Sequence, residues 1–116
     1  MTTFPEIFRI NLSEQASAVP ADSILSRTVY SDAQVQAILF SFAAGQELSE
    51  HTAAVPTIIH ILAGEGTLTL GAEAPQPAGP GTWAHLPARL PHAVEAHTPL
   101  TMLLLMLRGG EASKAS

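Results

Sequence analysis

The apolar residues of this chain come in short runs, separated by glycine, proline and small polar residues. The runs are four to eight residues long and lie at 35–42, 57–62, 67–70, 83–86 and 100–107. Runs of this length are typical of β-strands, since a helix needs a longer stretch of 3.6-residue periodicity. Glycine and proline leave no window for a long amphipathic helix after residue 35. The pattern therefore predicts an all-β protein, either a sandwich or a barrel.

The segments between these runs predict shorter features. Residues 72–81 (AEAPQPAGPG) have the composition of a loop that connects two sheets. The sequence Gly64-Glu65-Gly66 is interpreted as a hairpin turn between two strands. One helical turn is predicted near residues 13–18, with Ser13 as its N-cap.

The chain divides into three parts: an N-terminal arm (1–34), a barrel (35–108) and a flexible tail (109–116). The first residues of the arm, FPEIFRINL at 4–12, are rich in large apolar side chains. A protein this small rarely leaves such a segment uncovered, so we expect it to pack on the barrel or on the sheet of a partner subunit. A homodimer is the expected assembly.

Composition excludes several classes of function. The 116 residues suffice for one domain, and 5 basic against 10 acidic residues give a net charge of −5, which predicts no binding to nucleic acid. The absence of cysteine excludes a zinc ribbon and a thiol nucleophile. The N-terminus lacks the pattern of a secretory signal, and the longest apolar run is too short to cross a bilayer, which needs about 20 helical residues. We therefore expect a soluble, cytoplasmic protein with no membrane partner.

Two segments, 45–64 and 81–96, carry residues at a specific spacing. The spaced residues are Gly45, His51, Gly64, Gly81, Pro87 and His92. These segments resemble the two motifs of the cupin superfamily, and the resemblance covers about residues 35–107. It implies a small single-domain cupin, whose fold would be an all-β, small jelly-roll β-barrel.

In metal-dependent cupins, the resemblance would place four ligands at positions 51, 53, 57 and 92, all pointing into the barrel. This chain keeps His51 and His92 but has Ala53 and Thr57 at the other two positions. Two imidazoles provide half of a four-ligand set, and the lost carboxylate removes a negative charge that a divalent ion needs. A divalent transition metal (Fe, Mn, Ni or Zn) is therefore expected to be held only weakly by these two residues.

The remaining histidines are assigned by strand parity, since successive side chains point to opposite faces. If Thr57 points inward, His60 points outward, and His97 likewise lies opposite His92. For His85 and Trp83 the sequence leaves both orientations open.

Three functions stay open at this stage. The first is the binding of a small organic molecule in the barrel by His51, Thr57, Arg89 and His92, with Arg89 pairing with an anionic group. The second is a metal-dependent enzyme of the dioxygenase or isomerase type that uses His51 and His92. The third is a structural or interaction protein whose barrel is filled by its own side chains.

Overall fold

A computed structural model describes residues 6–16 and 18–109 of the chain. These residues form nine β-strands and one short 3-10 helix. The helix is Leu12–Glu14, and the strands are β1 (Ile24–Ser31), β2 (Val35–Phe42), β3 (Glu47–His51), β4 (Thr57–Ala63), β5 (Gly66–Leu70), β6 (Gln76–Ala78), β7 (Trp83–Leu86), β8 (His92–Ala96) and β9 (Leu100–Leu107).

The strands form two antiparallel sheets that enclose one core. The five-stranded sheet has the order β1-β2-β9-β4-β7, and the four-stranded sheet has the order β3-β8-β5-β6. This arrangement is a jelly-roll fold, which confirms the predicted fold class. The predicted runs at 35–42, 83–86 and 100–107 coincide with β2, β7 and β9.

The apolar pattern did not reveal four of the strands. In β1, four consecutive positions, 25–28, are exposed, because β1 is the edge strand of the five-stranded sheet. Strands β3 and β6 are short and mostly exposed, and β8 has a histidine and a glutamate among its five residues. Strand β1 lies within the predicted arm and pairs with β2 along its length.

Two predictions about connections were wrong. Strands β4 and β5 belong to different sheets, so residues 64–66 form a crossing between sheets and not a hairpin turn. Gly64 has a φ of +89°, and a Cβ atom there would overlap the Pro99 carbonyl oxygen, so the crossing requires glycine. The predicted loop 72–81 contains β6, which pairs with β5 despite its proline because it is an edge strand.

The predicted helical turn begins one residue earlier than expected. The observed 3-10 helix is Leu12–Glu14, and its N-cap is Asn11 in place of Ser13. The Asn11 Oδ1 atom accepts a hydrogen bond from the Ser13 backbone N–H at 3.0 Å. An asparagine at this position satisfies an amide that the short helix leaves unpaired.

The described part of the arm lies against the outer face of the five-stranded sheet of its own chain. Leu12 packs on a small cluster formed by Ala37, Leu39 and Leu103. The Phe8 ring lies 4.8 Å from the Tyr30 ring, centroid to centroid. Packing on a partner subunit stays a prediction, and the predicted tail lies, except for residue 109, outside the described residues.

Within residues 6–16 and 18–109, no helix has the length and hydrophobicity that crossing a membrane would require.

Candidate functional site

His51 and His92 meet at one end of the barrel. His51 ends β3 and His92 begins β8, and the two residues are direct partners across the antiparallel pair. Their ring centroids are 4.2 Å apart with an angle of 59° between the ring planes. The sheet register therefore brings together two residues that are 41 positions apart in sequence.

Each imidazole is oriented by a backbone carbonyl two residues before it. The Nδ1 atom of His51 lies 2.8 Å from the Ser49 oxygen, and that of His92 lies 2.9 Å from the Leu90 oxygen. Because a carbonyl can only accept, Nδ1 carries the proton in both rings. In the neutral rings, Nε2 is then the atom with a lone pair for a ligand or a metal ion.

Burial keeps His92 neutral. Only 4% of its surface is exposed, and this desolvation lowers the pKa of His92 below its usual value. The hydrogen bond to Leu90 raises the pKa, and the nearby His51 lowers it further. The dominant effect is burial, which disfavours the charged ring. Near neutral pH the site therefore contains a hydrogen-bond acceptor at His92 Nε2.

Thr57 lies at the same end of the barrel, on the opposite sheet. It begins β4, is only 1% exposed, and is flanked across the strands by Leu86 of β7 and Met106 of β9. Its position is the one where the cupin pattern has a carboxylate. A hydroxyl in this place provides no charge for a cation.

Arg89 lies in the β7–β8 loop at this end of the barrel, and its side chain is exposed. Its backbone N–H donates to the Ala53 oxygen at 2.7 Å, so the two motif segments are joined here. Arg89 has a φ of +69°, in the left-handed region, where the cupin pattern has glycine. A non-glycine residue in this region costs about 1–2 kcal/mol.

These residues do not fit the metal site of metal-dependent cupins. In the described part of the chain, no group of three or more His, Cys, Asp or Glu side chains could hold a metal ion. The two Nε2 atoms are oriented as in many metal-binding histidines, whose other nitrogen donates to a carbonyl. Positions 53 and 57, however, contribute a methyl group and a hydroxyl. The arrangement is thus a pair of acceptors in an apolar setting.

Trp83 and His85, whose orientation the sequence left open, point away from the barrel interior. His60 and Trp83 are cross-strand partners, and His60 also pairs with Leu103 of the outer cluster. His60 therefore also lies on the outer face, as parity predicted. His97 is exposed on the other sheet, where its Nε2 lies 3.1 Å from the Thr67 hydroxyl.

Sequence reasoning missed a polar group on the inner face of the five-stranded sheet. Gln36 has the inward parity of Ile38 and Phe40, and its side chain contacts Thr28 and Arg108. The glutamine in the run VQAILFSF, at the parity of Ile38 and Phe40, was a signal that could have identified this inward polar position. The partners could not be found from sequence, because they are 8 and 72 residues away.

The opposite end of the barrel is filled by apolar side chains. The fully buried side chains there include Phe42, Ile61 and Met102. A groove of about 870 Å³ lies outside the barrel, between the arm and the outer face of the five-stranded sheet, and is lined by residues such as Ile10, Leu12, Leu62 and Thr101. The histidine pair is not part of this groove.

Comparison with known proteins places this geometry in a family. Residues 38–107 match the sequence model of the Cupin domain family. None of the curated proteins compared with the chain matches it.

Several solved structures are similar to the chain. A cupin superfamily protein from Desulfitobacterium hafniense is 28% identical, with a TM-score of 0.77, and the match covers 90% of this chain and 94% of that one. A Cupin 2 conserved barrel domain protein from Leptotrichia buccalis is 31% identical, with a TM-score of 0.75, over 85% of this chain and 47% of that one. The DMSP lyase DddQ from Ruegeria pomeroyi is 23% identical, with a TM-score of 0.70, over 87% of this chain and 55% of that one, a likeness that shows the fold alone.

Proposed function

The chain belongs to the cupin family, and we propose that it binds a small organic molecule at the histidine end of its barrel without a full set of metal ligands. The observation that carries this proposal is the orientation of the two imidazoles. Both Nδ1 atoms donate to backbone carbonyls, so two Nε2 acceptors are available close together. Such a pair suits a ligand with a hydroxyl or amino group, since these groups donate hydrogen bonds.

The surroundings of the histidine pair favour a ligand that is partly apolar. Leu70 is the cross-strand neighbour of His92, and Leu90, Leu86 and Met106 complete the apolar lining at this end. A mostly apolar lining with a few convergent polar groups is the usual composition of a small-molecule site. The ligand therefore combines a hydrocarbon part with at least one hydrogen-bond donor.

Arg89 is proposed to contact the ligand at the rim of the site. Its backbone conformation is costly for any residue but glycine, so the local structure alone does not favour arginine here. Residues in such conformations are often found at binding sites. An exposed guanidinium at the rim can attract an anionic ligand as it approaches the site.

The proposal can be tested on untagged protein with 1,5-pentanediol as a probe. We expect the ring-proton resonances of His51 and His92 to shift saturably, and the shifts to be lost in His92→Ala but retained in His60→Ala, whose ring lies on the outer face. Elemental analysis after dialysis should find far less than one transition metal per chain. Stoichiometric metal would instead support the metal-dependent enzyme, of dioxygenase or isomerase type. Absence of saturable shifts would support a barrel filled by its own side chains.

We also propose that two copies of the chain associate through the outer face of the five-stranded sheet. The uncovered part of this face, here called the tryptophan patch, consists of Ile58, His60, Trp83, His85 and Leu105. Trp83 is 57% exposed, and none of the five residues is an acid, a lysine or an arginine. Since each copy has a net charge of −5, an uncharged face allows close approach with the least repulsion. A two-fold axis would place the same patch on both sides of the interface.

Light scattering distinguishes a dimer from a 12.2 kDa monomer. At micromolar concentration we expect wild-type protein to show twice the monomer mass and Trp83→Glu to show the monomer mass, because the new carboxylates would face each other. Glu47→Lys, a charge change on the exposed β3 strand of the other sheet, is the control and should stay dimeric. A monomeric wild type, or a dimeric Trp83→Glu, would contradict this interface.

A further inference from the structure

A group of polar side chains lies on the inner face of the five-stranded sheet, outside both cupin motifs. We define it as the polar shelf: Thr28, Ser31, Gln36 and Arg108. The Gln36 Nε2 atom donates to Thr28 Oγ1 at 3.2 Å, and Gln36 Oε1 accepts from Arg108 Nη2. Arg108 Nη1 donates to Ser31 Oγ at 3.1 Å and to the Asp32 carbonyl oxygen at 3.0 Å. The shelf is thus a connected network that holds one guanidinium in place.

The register of the sheet places the polar shelf at the same end of the barrel as Thr57. Gln36 of β2 pairs with Met106 of β9, and Met106 pairs with Thr57 of β4. Two strand spacings separate Gln36 from Thr57, which is about 10 Å between their backbones. The inner surface between them is the apolar side chain of Met106. The shelf and the histidine pair thus lie at the same end of the barrel, on the inner faces of opposite sheets.

The guanidinium of Arg108 has donors left for a ligand. Arginine has five N–H donors, and three hydrogen bonds from Arg108 to described residues engage three of them, which leaves two. Two donors from one guanidinium are what a carboxylate accepts in its bidentate pairing. Arg108 and the neighbouring Thr28 are exposed, so a solute can reach this edge of the barrel.

Asp32, whose backbone carbonyl contacts Arg108, has its carboxylate oxygens hydrogen-bonded to other groups. Asp32 Oδ2 accepts from the Tyr30 hydroxyl at 2.7 Å, and Oδ1 accepts from the Gln34 and Val35 backbone N–H groups at 2.8 and 2.9 Å. Arg108 contacts the Asp32 carbonyl and is not hydrogen-bonded to the Asp32 carboxylate. The guanidinium therefore still has the capacity to pair with a carboxylate that enters from solvent.

We propose that the polar shelf binds the carboxylate of a short-chain hydroxycarboxylate, a class that deepens, and rests on, the ligand-binding function proposed above. The carboxylate pairs with Arg108 beside Gln36, the hydrocarbon chain lies on Met106, and the hydroxyl donates to an Nε2 atom of the histidine pair. Each end of the ligand then meets a group of matching chemistry. Sheets that pack face to face are about 10 Å apart, a gap that a chain of about four to six carbons can span.

The experiment uses full-length untagged protein and three probes: 5-hydroxypentanoate, pentanoate and 1,5-pentanediol. Affinities come from titrations followed by the His51 and His92 ring protons and the Gln36 side-chain amide. We expect 5-hydroxypentanoate to bind wild type at least tenfold more tightly than 1,5-pentanediol, and Arg108→Gln to abolish this difference while leaving diol binding unchanged. Arg108→Lys should retain part of the preference, since lysine keeps the charge but not the fork of donors.

Two control variants separate the polar shelf from other arginines and from a folding defect. Arg27→Gln removes an arginine that lies on the outer side of the same sheet, where it contacts Gln15, and should bind as wild type does. Gln36→Glu keeps Arg108 but adds a carboxylate beside it, and should weaken binding of both acids while sparing the diol.

Equal affinity of wild type for the hydroxy acid and the diol would overturn the assignment of the shelf and leave the ligand site intact. The assignment would also be overturned if Arg89→Gln lost the preference for 5-hydroxypentanoate over the diol and Arg108→Gln kept it. That result would place the carboxylate at the rim, beside Arg89. If no probe bound at all, both proposals would be wrong.

Discussion

The two ends of the barrel interior are built from different side chains, although the same strands contribute to both. At one end, Phe42 pairs with Leu100, and both are almost fully buried. At the other end of the same pair of strands, the inward positions are Gln36 and Met106. The four-stranded sheet shows the same change along β8, from the buried Ala96 to His92. Strands β2 and β8 thus each carry a polar inward residue at the histidine end.

This difference gives the two ends different roles. The apolar end stabilises the fold, and the histidine end has groups that are available for binding. A close-packed apolar end loses free energy when a side chain is shortened, because the neighbours relax only partly around the cavity. A polar end with apolar walls has groups whose hydrogen-bonding capacity is not used up by the fold. Substitutions at the two ends should therefore have different consequences, which two measurements can compare.

The largest effect is expected at the apolar end. Phe42→Ala removes a fully buried ring that packs beside Phe40, with centroids 6.2 Å apart, and should lower the free energy of unfolding by about 3–5 kcal/mol. Thr57→Val at the histidine end is the matched buried control and should change it by about 1 kcal/mol or less. Urea unfolding of both variants measures the two values. Similar losses of unfolding free energy in the two variants would contradict the proposed difference between the two ends.

A smaller effect is expected from pH at the histidine end. Because burial lowers the pKa of His92 in the folded protein, the unfolded chain takes up a proton at a pH where the folded protein does not. The free energy of unfolding should therefore be at its full value above the ordinary histidine pKa of about 6.5 and decrease as the pH falls below it.

His92→Gln should make this pH dependence shallower, since glutamine does not titrate. Thr57→Val retains the histidine and should keep the wild-type dependence. Urea unfolding at a series of pH values between neutrality and the acid range measures all three proteins. An unchanged slope in His92→Gln would assign the pH dependence to other groups.

The sequence predicted the centre of the fold better than its edges. Runs such as 35–42 and 100–107 are apolar because both faces of these central strands are covered, one by the core and one by Leu12 and its neighbours. Edge strands such as β1 lack that signal, since solvent reaches much of their surface. The Gly64 crossing looked like a hairpin turn because a glycine with positive φ serves both purposes, and only the sheet partners distinguish them.

For the candidate site, the spacing of Gly45, His51, Gly81 and His92 was sufficient to predict the cupin fold, which is confirmed. The loss of ligands at positions 53 and 57 was also visible, since it depends only on residue types. The tertiary structure decided which nitrogen of each imidazole is available, because that depends on the Ser49 and Leu90 carbonyls.

Only the tertiary structure also brought Arg108 to Gln36, 72 residues away. Residue type and local spacing determine which strands form and which chemistry is lost. The direction of a lone pair and the partners of a guanidinium depend on atoms that the strand register brings together from distant parts of the chain.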